Sequence, residues 1–271
     1  MPNGDRVTRA GLFPGKLALH MVNDDTPQIE SVDFSTWAPI VGRWETGEGI
    51  ARYLGSDDPE DQALGMLIAP DQFAFGAGYA SVKLRFPKHE SELEPQARIL
   101  FGFSPTRTHH YSAGMGGYRA MYSIEQFVPD EGWYPRATLG RADSIEFDRD
   151  YDVSVYVLGQ TTLLEVNEVD VAGAALPAPM EGSQVGLVAR GRGTVEFRDF
   201  AVDAQAPEAF VVMKFAEPYD TLYREVIKPV CEDLGYLAVR ADEFSGPGVI
   251  IEEIIRGIEN ASVVIAEITS V

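Results

Sequence analysis

Four groups of residues in this 271-residue chain have types and spacing that could do chemistry. Glu146-Phe-Asp-Arg-Asp150 puts carboxylates at alternate positions, which places them on one face of an extended strand. Two neighbouring carboxylates are what acid-base cleavage of a glycosidic bond requires. The run enters the apolar Tyr151 strand as a turn would, so a solvated turn is the stronger reading of Glu146, Asp148 and Asp150. His109-His110 offers imidazoles, but no cysteine or nearby carboxylate completes a ligand set. No metal and no cofactor is expected. Tyr111, Tyr118, Trp133 and Tyr134 are aromatics beside loops, able to stack on a sugar ring or simply to pack. Arg240-Ala-Asp-Glu243 sets a guanidinium, which can pair with an anion, beside two carboxylates, which can accept hydrogen bonds. The alternative is that these three make only local surface ion pairs, which contribute little.

Composition bounds what such groups can serve. Hydrophobic residues make up 45% and charged residues 24%, as in ordinary folded proteins. The net charge is -20, with the acidic excess spread along the chain. That field repels phosphate backbones and anionic lipid, so neither a nucleic acid nor a membrane is an expected partner. A single cysteine, Cys231, allows no internal disulfide and fits a reducing, cytoplasmic setting. Cys231 falls on the apolar side of a predicted helix, as a small buried hydrophobe would. The apolar run from Gly11 to Val22 is broken by Pro14, Lys16 and His20, unlike a signal peptide.

The elements that must hold these groups divide the chain. Residues 1–28 are weakly patterned and read as an arm. From 29 to 203 short alternating runs recur, each bounded by Gly, Pro or Asp. Clear examples are Tyr79 to Phe86, Arg98 to Phe103, Tyr118 to Ile124, Tyr151 to Leu158, Thr162 to Val166, Ser183 to Val188 and Thr194 to Val202. Period-two alternation with scarcely any helical periodicity predicts an antiparallel β-sandwich. The span resembles the concanavalin-like jelly rolls, which hold laminin-G-like and 3-keto-disaccharide hydrolase-like modules. The resemblance is carried by Phe34-Ser-Thr-Trp37 and Trp44, by the Tyr151-x-Val-x-Val155 strand, and by Leu163-Leu-Glu-Val-Asn167. Val185-Gly-Leu187 and the closing Val195-x-Phe-Arg-x-Phe200 complete it. It implies a sandwich and permits sugar binding, without implying an activity. The Glu146 run also partly resembles the Glu-x-Asp-x-Glu strand of laminarinase-type glycosidases, with Asp150 in place of the last Glu.

Residues 204–208, with Pro207 favouring extended backbone, form a linker. Periodicity then switches from two to 3.6. Over 209–271 the pattern predicts strand, helix, strand, helix, strand. The first helix spans Tyr219 to Leu234, with Tyr223, Val226, Ile227, Val230 and Leu234 on one apolar stripe. Alternating elements of this length predict a partial α/β flavodoxin-like parallel-sheet domain.

Phe210-Val-Val-Met-Lys-Phe215, Val226-Ile-Lys-Pro229, Gly235, Arg240-Ala-Asp-Glu243 and Val263-Val-Ile-Ala-Glu-Ile-Thr269 resemble the nucleoside 2-deoxyribosyltransferase-like group, related to Toll/interleukin-1 receptor-like domains of bacterial defence. The resemblance implies a nucleotide or NAD pocket beyond the carboxyl ends of the strands. Lys214, Phe215, Arg240, Asp242, Glu243, Glu267 and Thr269 are its residues, with Glu267 where the group usually has Asp. In that group a further stretch carries the catalytic Glu. The chain reaches Val271 before it, so a fragment that assigns no catalytic residue is the expectation, and the open edge of the sheet is a candidate for homo-oligomer contact. The function expected first is a lectin-like sensor fused to a nucleotide- or NAD-directed N-glycosidase-like effector. The alternatives are a carbohydrate-binding jelly roll whose α/β segment serves assembly, and a glycoside hydrolase.

Overall fold

A computed structural model of the chain describes residues 32–56, 63–73, 76–89, 95–103, 109–177, 180, 183–243 and 250–268. The arm over 1–28, the loop over 244–248 and Thr269 lie outside the described residues. Two sheets of seven antiparallel strands face one another. In spatial order the first sheet holds β1 (Ala38–Val41), β4 (Leu64–Ile68), β13 (Gln184–Arg190), β6 (Gln96–Phe103), β7 (His110–Met115), β8 (Tyr122–Val128) and β9 (Gly132–Leu139). The second holds β12 (Val169–Ala175), β11 (Thr161–Val166), β10 (Asp150–Leu158), β5 (Ala77–Arg85), β14 (Val195–Gln205), β3 (Ile50–Tyr53) and β2 (Trp44–Gly47). Strands are numbered in chain order.

The inward residues are those that the alternation selects. Tyr151, Val153 and Val155 of β10 are buried, as are Val82 and Leu84 of β5 opposite them. Trp37 is buried edge-on to Phe200, with ring centroids 4.8 Å apart. Phe197 and Phe200 are both fully buried although three positions apart, which strict alternation forbids. An irregularity between Arg198 and Ala201 resolves this. Asp199 adopts φ +51°, adding one residue and returning Phe200 to the core. The outer edges of the first sheet, β1 and β9, carry Pro39 and Pro135, where a missing ladder donor is tolerated.

One predicted strand begins too early. Tyr118 to Met121 are not extended, because Gly116, Gly117, Tyr118 and Arg119 all have positive φ and turn the chain. β8 starts only at Tyr122. The closing strand β14 also runs past 203, pairing Gln205 with Ala77, so it enters the predicted linker.

Beyond it lies a three-stranded parallel sheet in the order β16 (Leu237–Arg240), β15 (Glu208–Val212), β17 (Val263–Ala266). A small parallel sheet is therefore present where the flavodoxin-like domain was expected. The first helix is divided into Tyr219–Leu222, a π-helical turn Tyr223–Ile227, and Lys228–Asp233. The wide turn ends just before Pro229, whose missing N–H an unbroken α-helix would have needed. It also splits the predicted apolar stripe. Tyr223 and Cys231 face inward with Ile227 half-buried, whereas Val226, Val230 and Leu234 are exposed. Cys231 is buried, and burial pushes its thiol pKa up.

Because Phe200 anchors the Trp37 cluster through a bulge made for that purpose, Phe200→Ala is expected to lower unfolding free energy by about 3–5 kcal/mol. Urea unfolding at unchanged m-value measures this. A loss under about 1 kcal/mol would show that the bulge does not place a core residue.

Candidate functional site

The two outer faces of the sandwich differ in kind. On the second sheet the outward side chains form an ordinary wet lattice of ion pairs. Arg52 meets Glu196 at 2.9 Å, Lys83 meets Asp199 at 3.0 Å, and Arg198 meets Asp150 at 2.8 Å. The Glu146 run belongs to this surface. Glu146 pairs with Arg149 at 3.0 Å, and Asp150 is shared between Arg85 and Arg198. Asp148 has φ +57° and accepts from the Lys88 amide at 3.3 Å. These carboxylates form a solvated turn paired with neighbouring arginines.

The first sheet's outer face is dry. Met66, Ile68, Leu100 and Val188 are buried there, with Leu64, Phe103 and Trp133 packed on them. β4 and β9 are five strand positions apart, about 24 Å across a flat sheet at 4.8 Å per strand. Leu64 of β4 and Trp133 of β9 nevertheless line the same cleft. The face is therefore concave. The cleft has a volume of about 330 Å³, the small end of the range for ligand pockets. Leu64, Gln96, Arg98, Glu125, Trp133 and Arg190 line it, with Gly117 and Tyr118 at one wall.

Its floor holds a charge pair. Arg98 and Glu125 meet at 2.6 Å with side chains only 4% and 3% exposed. Ser123 Oγ donates to Glu125 Oε1 at 2.9 Å, or to the Gly116 carbonyl at 2.6 Å. Arg98 also donates to Gln96. Its Nε lacks an acceptor among the described residues. Burial pushes the Arg98 pKa down, Glu125 opposes this, and nearby Arg190 adds to it. A buried pair of this kind contributes little net stability compared with an apolar substitute. Its value lies in fixing polar groups in place.

The wall is equally fixed. Gly117 has φ +109°, and a Cβ there would lie 2.2 Å from Glu125 Oε1, so only glycine lets the loop cross the pair. Tyr118 and Arg119 continue in left-handed conformation, at about 1–3 kcal/mol each. Tyr118 returns a hydrogen bond to the Trp133 carbonyl, tying the wall to β9. Behind Trp133, His110 stacks on Phe127 at 4.7 Å and meets Trp133 edge-on at 5.1 Å.

Of the four aromatics expected to touch sugar, Tyr118 and Trp133 line this cleft. Tyr111 does not: it is 9% exposed, turned into the sandwich core and stacked on Phe101. Its neighbour His110 takes the outward place, because successive residues of β7 point to opposite faces. Tyr134 is 42% exposed, hydrogen-bonded to Glu131, and is not among the lining residues. Arg98, Glu125, Gln96 and Arg190 escaped the sequence reading. Their signal was a lone charge inside an apolar strand, Arg98 before Ile-Leu-Phe and Glu125 after Ile124, since such charges are rarely buried unless paired.

In the parallel sheet, Lys214, Phe215, Arg240, Asp242, Glu243 and Glu267 follow the carboxyl ends of the three strands. Arg240 is already engaged. It binds Asp242 through both Nε (2.6 Å) and Nη2 (2.7 Å), binds Asp220 at 2.7 Å, and lies over the Tyr223 ring. Glu243 accepts from Tyr223 OH at 2.9 Å.

A scan against protein-family models finds no match, and a search of curated proteins finds none either. Among solved structures the sandwich is similar to the carbohydrate-binding module CBM66 from Bacillus subtilis. The TM-score is 0.50 at 13% identity, over 62% of this chain and 95% of that one. The fold is a two-sheet β-sandwich of the jelly-roll kind. Two others align more loosely and carry no argument. A galectin-like protein of unknown function from Bacillus subtilis gives TM-score 0.44 at 12% identity, covering 62% and 89%. A Bacillus licheniformis β-glucanase gives 0.42 at 10%, covering 62% and 92%.

His110 gives this site a pH dependence. Burial first, and His109 second, pull its pKa down to about 4. The unfolded chain therefore takes up this proton at about 6.5 and the folded one only near 4. Stability is full above pH 6.5 and falls as pH drops toward 4, by on the order of 3 kcal/mol from this group. His110→Phe should remove that part, so wild type minus variant should change between pH 6.5 and 4 and be flat above. A parallel pair of pH profiles would contradict the assignment.

Proposed function

We propose that the concave face of the sandwich binds carbohydrate. The observation that carries this is the cleft itself, with apolar side chains and two aromatics around a locked polar cluster. Sugars present C–H faces and hydroxyl rims. Trp133 offers a surface for the former, and Gln96, Glu125 and the guanidiniums offer acceptors and donors for the latter. The likeness to a carbohydrate-binding module supports the same reading at the level of fold.

Binding rather than cleavage is the role that fits. Glycoside hydrolysis uses two carboxylates about the scissile bond. Among the described residues that line the cleft Glu125 is the one carboxylate, and it is tied to Arg98 and Ser123. A glycan array probed with wild type should give a defined set of hits. Trp133→Ala should weaken them at least about tenfold, through lost stacking, whereas Tyr134→Ala should leave them within about twofold. No hits, or hits insensitive to Trp133, would sink the proposal.

A second reading is that the parallel sheet binds a nucleotide such as NAD. It rests on β15 lying between β16 and β17, which gathers the loops bearing Lys214, Arg240 and Glu267 at one edge. Phosphate would have to displace Asp242 or Asp220 from Arg240. Asp242→Asn should then tighten NAD binding, read as a larger thermal shift with NAD than wild type gives. No shift in either protein rejects the reading.

A further inference from the structure

A sheet edge is a row of N–H and C=O groups that another strand can extend, so proteins blunt their edges. The edges of the three sheets differ in this respect. β1 and β9 carry Pro39 and Pro135. β2 carries Glu45, β12 carries Asp170 and meets β11 through a bulge, and β16 ends on Arg240. β17 is Val263-Val-Ile-Ala266, with neither charge nor proline, and Val263, Val264 and Ala266 are exposed. Among the described residues it pairs with β15 alone.

The phase of the ladder shows which backbone groups stand at the open side. The Val211 carbonyl accepts from the Ala241 amide, toward β16, and the Val212 carbonyl accepts from the Glu267 amide at 2.9 Å, toward β17. Val212 lies opposite Ala266. Alternate residues of a parallel strand bond to the same neighbour. Val263 and Ile265 therefore bond to β15, and the N–H and C=O groups of Val264 and Ala266 point outward. The side chain of Val264 shares a sheet face with Phe210 and Val212, which the helix Ile250–Asn260 covers through Ile254. Ile255 and Ile258 of that helix are half exposed.

We propose that β17 is an interface at which two copies of this chain join antiparallel, making one six-stranded sheet. Charge favours a second copy placed here. Copies of net charge -20 repel one another, and an uncharged strand lets them meet with no like charges opposite. The bare groups also fix the register. Ser262 has already given its N–H to the Glu208 carbonyl, so Val264 and Ala266 are the residues that can exchange hydrogen bonds in full. A twofold axis at Ile265 sets Val264 opposite the partner's Ala266, and Ala266 opposite the partner's Val264. Each copy spends the same edge, so assembly closes at two.

The test uses the full chain. Sedimentation velocity across the micromolar range should show the mass passing from one chain to two and no further. Hydrogen exchange over the same range should show the amides of Val264 and Ala266 gaining protection, while those of Val263 and Ile265 are protected throughout. Ala266→Pro removes a donor that β15 does not use, so it should leave the urea midpoint unchanged and weaken association at least about tenfold. Val264→Lys, at an exposed position, should weaken it likewise. A single-chain mass at every concentration would overturn the proposal. So would a dimer with unchanged exchange at Val264 and Ala266, a dimer indifferent to both substitutions, or growth beyond two chains. If either variant fails to fold, the exchange pattern of the wild type decides.

Discussion

The Arg98–Glu125 pair is the constraint from which the concave face follows. Two opposite charges 2.6 Å apart on the outer side of a sheet would normally stand in water. Here they are dry, because Leu64, Val188 and Trp133 line the same cleft about them and the sheet curves to hold them. Once dry, the pair dictates its neighbours. Ser123 must donate, residue 117 must be glycine, and the loop that crosses the pair must run through four left-handed residues. Breaking the pair by removing Glu125 would leave a buried guanidinium unpaired, at about 3–5 kcal/mol. Replacing both partners with apolar groups would cost far less. A structure that keeps the expensive version, and bends a loop around it, has polar geometry to preserve.

Much of the sandwich was legible in the sequence, for a definite reason. Strands with one wet face alternate, and β5 and the first half of β10 do so clearly. Phe197 and Phe200 show where the rule stops, since their spacing makes sense only with the bulge at Asp199. The site was harder to read because its sheet is apolar on both faces. When both faces of a strand are dry, period-two patterning no longer says which face is the core. Tyr111 was grouped with the aromatics beside loops, and only the structure fixes the phase of β7, which turns Tyr111 into the core. Arg98 and Glu125 lie on separate strands, and no local spacing announces that they meet. Trp133 and Tyr118 stood out in the sequence, because aromatics beside loops are conspicuous whatever the register, and both line the cleft.

The C-terminal unit shows the opposite weakness of pattern reasoning. Element types along 208–266 emerged as the periodicity predicts, yet the contents of the loops did not follow from them. Arg240 is fixed by Asp220, Asp242 and the faces of Tyr223 and Phe215. It is a brace between the first helix and β16 before it is anything else. The helix itself buries Tyr223 and Cys231 but leaves Val226, Val230 and Leu234 in water, since the π-helical turn rotates them off the stripe.

Where on this protein a glycan sits is the most direct question. Amide chemical shifts, followed while the tightest glycan is titrated into the labelled full chain, answer it. The account predicts changes centred on Arg98, Gly117, Tyr118, Glu125, Trp133 and Arg190. Changes centred instead on the Glu146 turn, or on Lys214, Arg240 and Glu243, would contradict it.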